Sequence, residues 1–227
     1  ASRDLVTWKQ LPAAIAPDEN EPFIATGSIV EKDGLFHAFY CTAIGEDKDR
    51  AICVATSRDL IKWEKSSENP LILLYRDVPK DVYNIELVWR DPHVFWNPEA
   101  NKWWMAVAAM EQTHGDYGPA GAVAYATSPD LSNWTVQRVP MLLDRDSRAG
   151  ECPDVFPFGT GWAMIMYAHT SGIRLADSPQ GPWRRPQNDS PNGIHFNAGK
   201  TEYDGKRTIW HAYLGQLKDD YARHSYG

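Results

Sequence analysis

The chain has 227 residues, 43% of them hydrophobic and 12% aromatic, which is enough to bury a large core and too apolar for a disordered chain. Its net charge of −7 comes from acidic and basic residues that are interspersed, so the basic patch required by a nucleic-acid surface is excluded. No apolar run approaches ~18 residues, so no membrane span is expected.

The chain opens with "SRDLVTW" at 2–8, a turn ending in tryptophan, with no strand-like run ahead of it. Strand-length apolar runs then follow at 23–31, 35–42 and 51–56, the first two joined by "KDG" at 32–34, a natural hairpin connection. A second Ser-to-Trp turn, "SRDLIKW", closes this unit at 57–63. The next unit has runs at 93–97, 102–110 and 122–127 and closes with "SPDLSNW" at 128–134. Another has runs at 154–158, 161–169 and 172–177 and closes with the shortened "SPQGPW" at 178–183. The last offers runs at 194–203 and 207–215. A strand–turn–Trp unit that recurs in this way marks a repeat architecture. Three strands and a Trp-bearing fourth are the content of a propeller blade, whereas a sandwich does not repeat a four-strand unit. No amphipathic helix is evident. The fold expected is an all-β propeller occupying 1–227 as a single domain, with its first blade reduced to the outer turn.

Two motifs carry chemistry. Asp91 in "VWRDPHVFW" and Glu151 in "GECPDVFPF" each stand ahead of the first strand of their unit, about one repeat apart. The first strands of propeller blades line the central channel, so both carboxylates are expected at one mouth. Paired carboxyl groups flanking a sugar acetal are what glycoside hydrolysis requires. Pro92 and Pro153 lack an N–H and suit a strand start. Arg90 beside Asp91 would favour its ionised form, while Glu151, between Gly150 and Cys152, has no adjacent cation and suits a proton donor.

These segments and the S-x-D-L-x-x-W turns resemble glycoside hydrolase family 32, the invertase, levanase and inulinase group. The resemblance implies a five-bladed propeller and retaining hydrolysis of β-fructofuranosides. It also implies that Asp91 stabilises the transition state through sugar hydroxyls and that Glu151 is the acid/base. "TGSIV" at 26–30 resembles the family's fructose-pocket segment, which brings in Thr26 and Ser28 as substrate-binding candidates beside Arg90 and Cys152. The family's nucleophile lies in a W-M-N-D-P-N segment with no match in this chain, so it is expected upstream of residue 1. No C-terminal β-sandwich is expected within residues 1–227. The chain alone is expected to be inactive and to self-associate through the open edge of the propeller.

Of the ten tryptophans, Trp8, Trp63, Trp134 and Trp183 follow the repeat and are expected in the core, while Trp89 is a candidate for stacking on a sugar face. Trp96, Trp103, Trp104 and Trp162 read as packing. His195 and Asn197, at the inner start of the last unit, are candidates to hydrogen-bond substrate. The Gly-rich stretch 111–121 reads as a solvated connection that could shape an outer subsite. The histidines show no ligand spacing with a carboxylate, and Cys41, Cys53 and Cys152 match no zinc pattern, so neither metal nor other cofactor is expected. The cysteines read as small buried residues and leave the compartment open. An extracellular or periplasmic site is favoured, although a chain without an initial Met need not show its signal. The partner expected is an oligo- or polysaccharide such as sucrose or a fructan. Two alternatives stand: an inverting, family 43-like arabinanase or xylosidase, and a carbohydrate-binding propeller without catalysis.

Overall fold

The computed structural model describes residues 1–45, 49–86, 88–112, 120–144, 150–168, 170–190 and 196–214. Its strands form four antiparallel sheets. In the first, β1 (Gly27–Lys32), β2 (Leu35–Ile44) and β3 (Asp49–Ser57) lie side by side, and the short β4 (Glu64–Lys65) and β5 (Ile72–Leu73) both pair with β3. A single helical turn, α1 (Leu74–Asp77), leads out of it. The second sheet repeats the order with β6 (Trp89–Asn97), β7 (Lys102–Met110) and β8 (Gly121–Ser128), to which β9 (Thr135–Val136) and β10 (Leu142–Asp144) pair. The third contains β11 (Glu151–Phe158), β12 (Gly161–Ala168) and β13 (Thr170–Ala176), and the fourth β14 (Phe196–Tyr203) and β15 (Thr208–Leu214).

The first strand of each sheet packs on the first strand of the next: β1 on β6, β6 on β11, β11 on β14. That is the radial arrangement of propeller blades, as the repeat implies. The core lies between blades. Phe39, Ile52 and Val54 of the first pack with Trp89, Val94 and Met105 of the second, and Phe95 and Trp104 of the second pack with Val155 and Met164 of the third.

The Ser-to-Trp turns are closed by side chains. Ser57 Oγ accepts the N–H groups of Asp59 and Leu60, and Asp59 Oδ1 accepts those of Ile61 and Lys62. Ser128 and Asp130 repeat the pattern. These bonds hold a leucine in the left-handed region, at φ 61° for Leu60 and 76° for Leu131, a conformation costing about 1–2 kcal/mol for an L-residue. In the shortened copy Gly181 takes that place, at φ 89°.

Two expectations are corrected. The Trp-bearing outer strand is split in each of the first two blades into two short strands, β4 and β5 on β3, and β9 and β10 on β8. Trp8 is 65% exposed rather than in the core, because residues 1–26 contain no strand for its ring to lie against.

Candidate active site

Three inner strands carry the same irregularity. Along β6, Arg90 faces Ala108 but His93 faces Ala106, so Asp91 and Pro92 together oppose one residue. Along β11, Glu151 faces Tyr167 and Asp154 faces Ile165, with Cys152 and Pro153 between them. Along β14, Asn197 faces Tyr213 and Lys200 faces His211, with Ala198 and Gly199 between them. Each is a β-bulge, and the first bulged residue is left-handed: Asp91 at φ 60°, Cys152 at 48°, Ala198 at 50°. Proline in two of the second positions costs nothing in the ladder, since a bulged residue is unpaired there. Superposing the bulges equates Asp91 with Cys152 and Arg90 with Glu151. The equivalence of Asp91 with Glu151 is thereby corrected, as is their placement ahead of the strands: β6 begins at Trp89 and β11 at Glu151.

The two carboxylates nevertheless meet at one place. Asp91 is 4% exposed, and its Oδ2 accepts the Cys152 N–H at 3.0 Å, with the Cys152 thiol at 3.6 Å. Arg90 Nε lies 3.7 Å from the same oxygen, and Arg90 Nη2 donates to Glu151 Oε1. One guanidinium therefore spans both carboxylates. Glu151 has a cationic partner from the neighbouring blade, not the cation-free setting its chain neighbours suggest. The Arg90 and Glu151 side chains are 43% and 30% exposed, so this pair faces solvent while Asp91 lies behind it.

Two thiols back the site. Burial pushes Cys152 up to about 12, with the Asp91 charge adding to it, and pushes Cys41 up to about 11. Both stay neutral, so Cys152 can offer its S–H to Asp91. Cys41 also donates to the Thr26 carbonyl at 3.5 Å. Read from the sequence only as a small buried residue, Cys41 lies close enough to Asp91 to feel its charge.

Of the other candidates, Ser28 on β1 accepts the Val94 N–H at 2.9 Å and so ties the first blade to the second. Thr26 is exposed, one residue ahead of β1. Trp89 is 2% exposed and packs edge-on against Tyr83, so sugar stacking is corrected: the indole has no free face. Asn197 has its backbone at the third bulge, and its side chain, like His195 and residues 113–119, lies outside the described part.

Sequence reading missed a polar row just past the bulges. His93 Nδ1 lies 3.1 Å from Asp154 Oδ1, and His93 Nε2 lies 3.0 Å from the Val155 carbonyl. Asp154 Oδ2 accepts from the Thr201 N–H at 2.8 Å and its hydroxyl at 2.6 Å. Lys200 Nζ donates to the Pro153 carbonyl at 2.7 Å. The signal was available as three polar residues, His93, Asp154 and Lys200, each standing two positions after the left-handed residue of its bulge.

A family model described as Glycosyl hydrolases family 32 N-terminal domain matches residues 1–226. The chain belongs to glycoside hydrolase family 32. Among curated family 32 relatives, a sucrose-6-phosphate hydrolase of Escherichia coli is 35% identical over 168 residues, covering 70% of this chain and 32% of that protein. A levanase of Bacillus subtilis is 28% identical over 177 residues, covering 68% of this chain and 22% of its own. The chain thus spans about a third or less of the length of these relatives. Among solved structures, a Bombyx mori GH32 beta-fructofuranosidase aligns with TM-score 0.75 at 19% identity, covering 96% of this chain and 48% of that one. Fructan 1-exohydrolase IIa from Cichorium intybus, in complex with 1-kestose, aligns with TM-score 0.75 at 20% identity, covering 94% and 44%. These likenesses carry the five-bladed propeller fold, and the family model over residues 1–226 sets the family 43 alternative aside.

Proposed function

We propose that the protein containing this chain hydrolyses β-fructofuranosyl linkages of sucrose or a fructan with retention of configuration. The observation carrying this reading is the constellation built by two adjacent bulges, in which Arg90 spans a buried carboxylate, Asp91, and a solvent-facing one, Glu151. Glu151 is the acid/base. It protonates the leaving oxygen as the glycosidic bond breaks, then takes a proton from the water that releases the fructosyl group. Asp91, fixed by the Cys152 N–H and the Arg90 guanidinium, accepts hydrogen bonds from fructosyl hydroxyls as positive charge develops on the ring. Arg90 releases Glu151 to the leaving oxygen when substrate enters. Ser28 and Thr26 line the mouth from the first blade. The nucleophile is assigned to sequence outside residues 1–227, because no counterpart of the family's W-M-N-D-P-N segment occurs within them.

The names of the relatives support a sugar substrate: a sucrose-6-phosphate hydrolase, a levanase and a fructan exohydrolase. The test is release of fructose from sucrose, inulin and levan by the full-length protein, beside its Glu151→Gln variant. Glu151-dependent release supports the reading. Sugar binding without turnover would move it to a carbohydrate-binding propeller.

A further inference from the structure

A bulge leaves a backbone carbonyl without its ladder partner, and a carbonyl kept from water needs a donor. At the Glu151 bulge that donor is Lys200, reaching from the next blade to the Pro153 carbonyl at 2.7 Å. Lys200 stands just past the third bulge, after Gly199, which lies under the Trp210 indole where a Cβ would come within 2.0 Å of Nε1. We propose that Lys200 is a positioning residue of the active site, fixing the Cys152–Pro153 bulge and thereby the stance of Glu151 and of the Cys152 N–H against Asp91. This rests on the glycosidase reading above and extends it to a residue that touches no substrate.

A neutral donor would satisfy the carbonyl, whereas lysine also brings a cation behind the carboxylates. Burial pulls the Lys200 ammonium below its ordinary range, and Asp154, Cys152 and Asp91 pull it back. His93 on β6 feels its charge across the same space, and His211 stands opposite it in the β14–β15 register. Glu151 is two residues from the carbonyl that Lys200 holds.

The test uses Lys200→Gln, which keeps a donor and removes the charge, and Lys200→Met, which removes both, in the full-length protein. Lys200→Met should lower kcat about tenfold or more, since small misplacements of a catalytic group carry losses of that order. KM should change little. In both variants the acidic limb of the pH–rate profile should move to higher pH by about half a unit or more, because neighbouring carboxylates protonate more easily once a cation is removed. Unchanged kcat and an unmoved acidic limb in Lys200→Gln, with only the melting temperature lowered, would overturn the proposal. Lys200→Gln is decisive even if Lys200→Met fails to fold. A wild-type protein inert on every β-fructoside would instead remove the glycosidase reading and this inference with it. An active wild type with an indifferent Lys200→Gln removes only the inference.

Discussion

Arg90 stands between two carboxylates to which the proposed chemistry gives different work. Glu151 must exchange a proton with the leaving group, so Glu151→Gln should lower kcat by ~10²–10⁴-fold on fructosides with ordinary leaving groups. An activated leaving group should restore much of the first step. Asp91 acts at the ring, so Asp91→Asn should be slow on every leaving group. Steady-state rates across a leaving-group series check this, and parallel losses in both variants would refute the division of roles. Arg90→Lys keeps the charge but loses the fork that reaches both Asp91 and Glu151. One charge-assisted hydrogen bond is worth about 1.5–3 kcal/mol, so kcat/KM should fall about tenfold or more. Wild-type kinetics in Arg90→Lys would mean that a point charge suffices there.

At the scale of the element, the turns show what a sequence discloses. Ser-x-Asp-Leu is visible as a motif because its hydrogen bonds are local, from Ser128 and Asp130 to the next few N–H groups. The backbone N–H of Asn133, first among several donors, holds Asp130 below its ordinary value of 3.8. A depressed folded value stabilises the protein above the unfolded value, and the contribution is lost as pH falls through the folded one. Asp130→Asn keeps an acceptor without the charge. It should therefore melt below wild type at neutral pH, and the gap should close as pH drops below 3.8. Thermal melts of both proteins from neutral to acid pH check this, and a gap constant with pH would show that the charge is irrelevant to the turn. The strands were legible in the same way. "KDG" became a two-residue hairpin with both Asp33 and Gly34 left-handed, as that turn type demands. The bulges were not legible. Pro92 and Pro153 marked their places, but a register slip belongs to a pair of strands, and nothing local says that Cys152, not Glu151, is the counterpart of Asp91. Arg90 reaching Glu151 was hidden for a related reason: sequence adjacency gave the cation to Asp91, while the second contact crosses between blades. Trp89 looked available beside Arg90, yet alternation along β6 turns it into the core.

Among the described residues the blades pack neighbour to neighbour, so cooperativity depends on what crosses each seam. Ser28 crosses the first seam to the Val94 N–H. At the next two seams the crossing is polar and buried: Asp154, 1% exposed, meets His93 on one side and Thr201 on the other. Desolvation holds His93 down to about 4, so it is neutral at ordinary pH, and its single ring proton can serve either the Val155 carbonyl or Asp154, not both. Removing one member of such a set strands the others without water, which makes a deletion far costlier than the bond is worth. Asp154→Ala should destabilise the protein by about 3–5 kcal/mol, the range for breaking a buried charged contact. Thr201→Val removes the hydroxyl but leaves the backbone N–H donor in place, so its cost should stay near 1.5–3 kcal/mol. If Asp154 strengthens these seams, the midpoint should be lowered most in Asp154→Ala, and the apolar packing left between blades should keep both variants to one transition. Denaturant unfolding followed by tryptophan fluorescence and by far-ultraviolet circular dichroism distinguishes the cases. Coincident curves at a lower midpoint are the expected result. An Asp154→Ala midpoint equal to that of Thr201→Val would mean that the seams are held by apolar packing and that the buried carboxylate joins nothing.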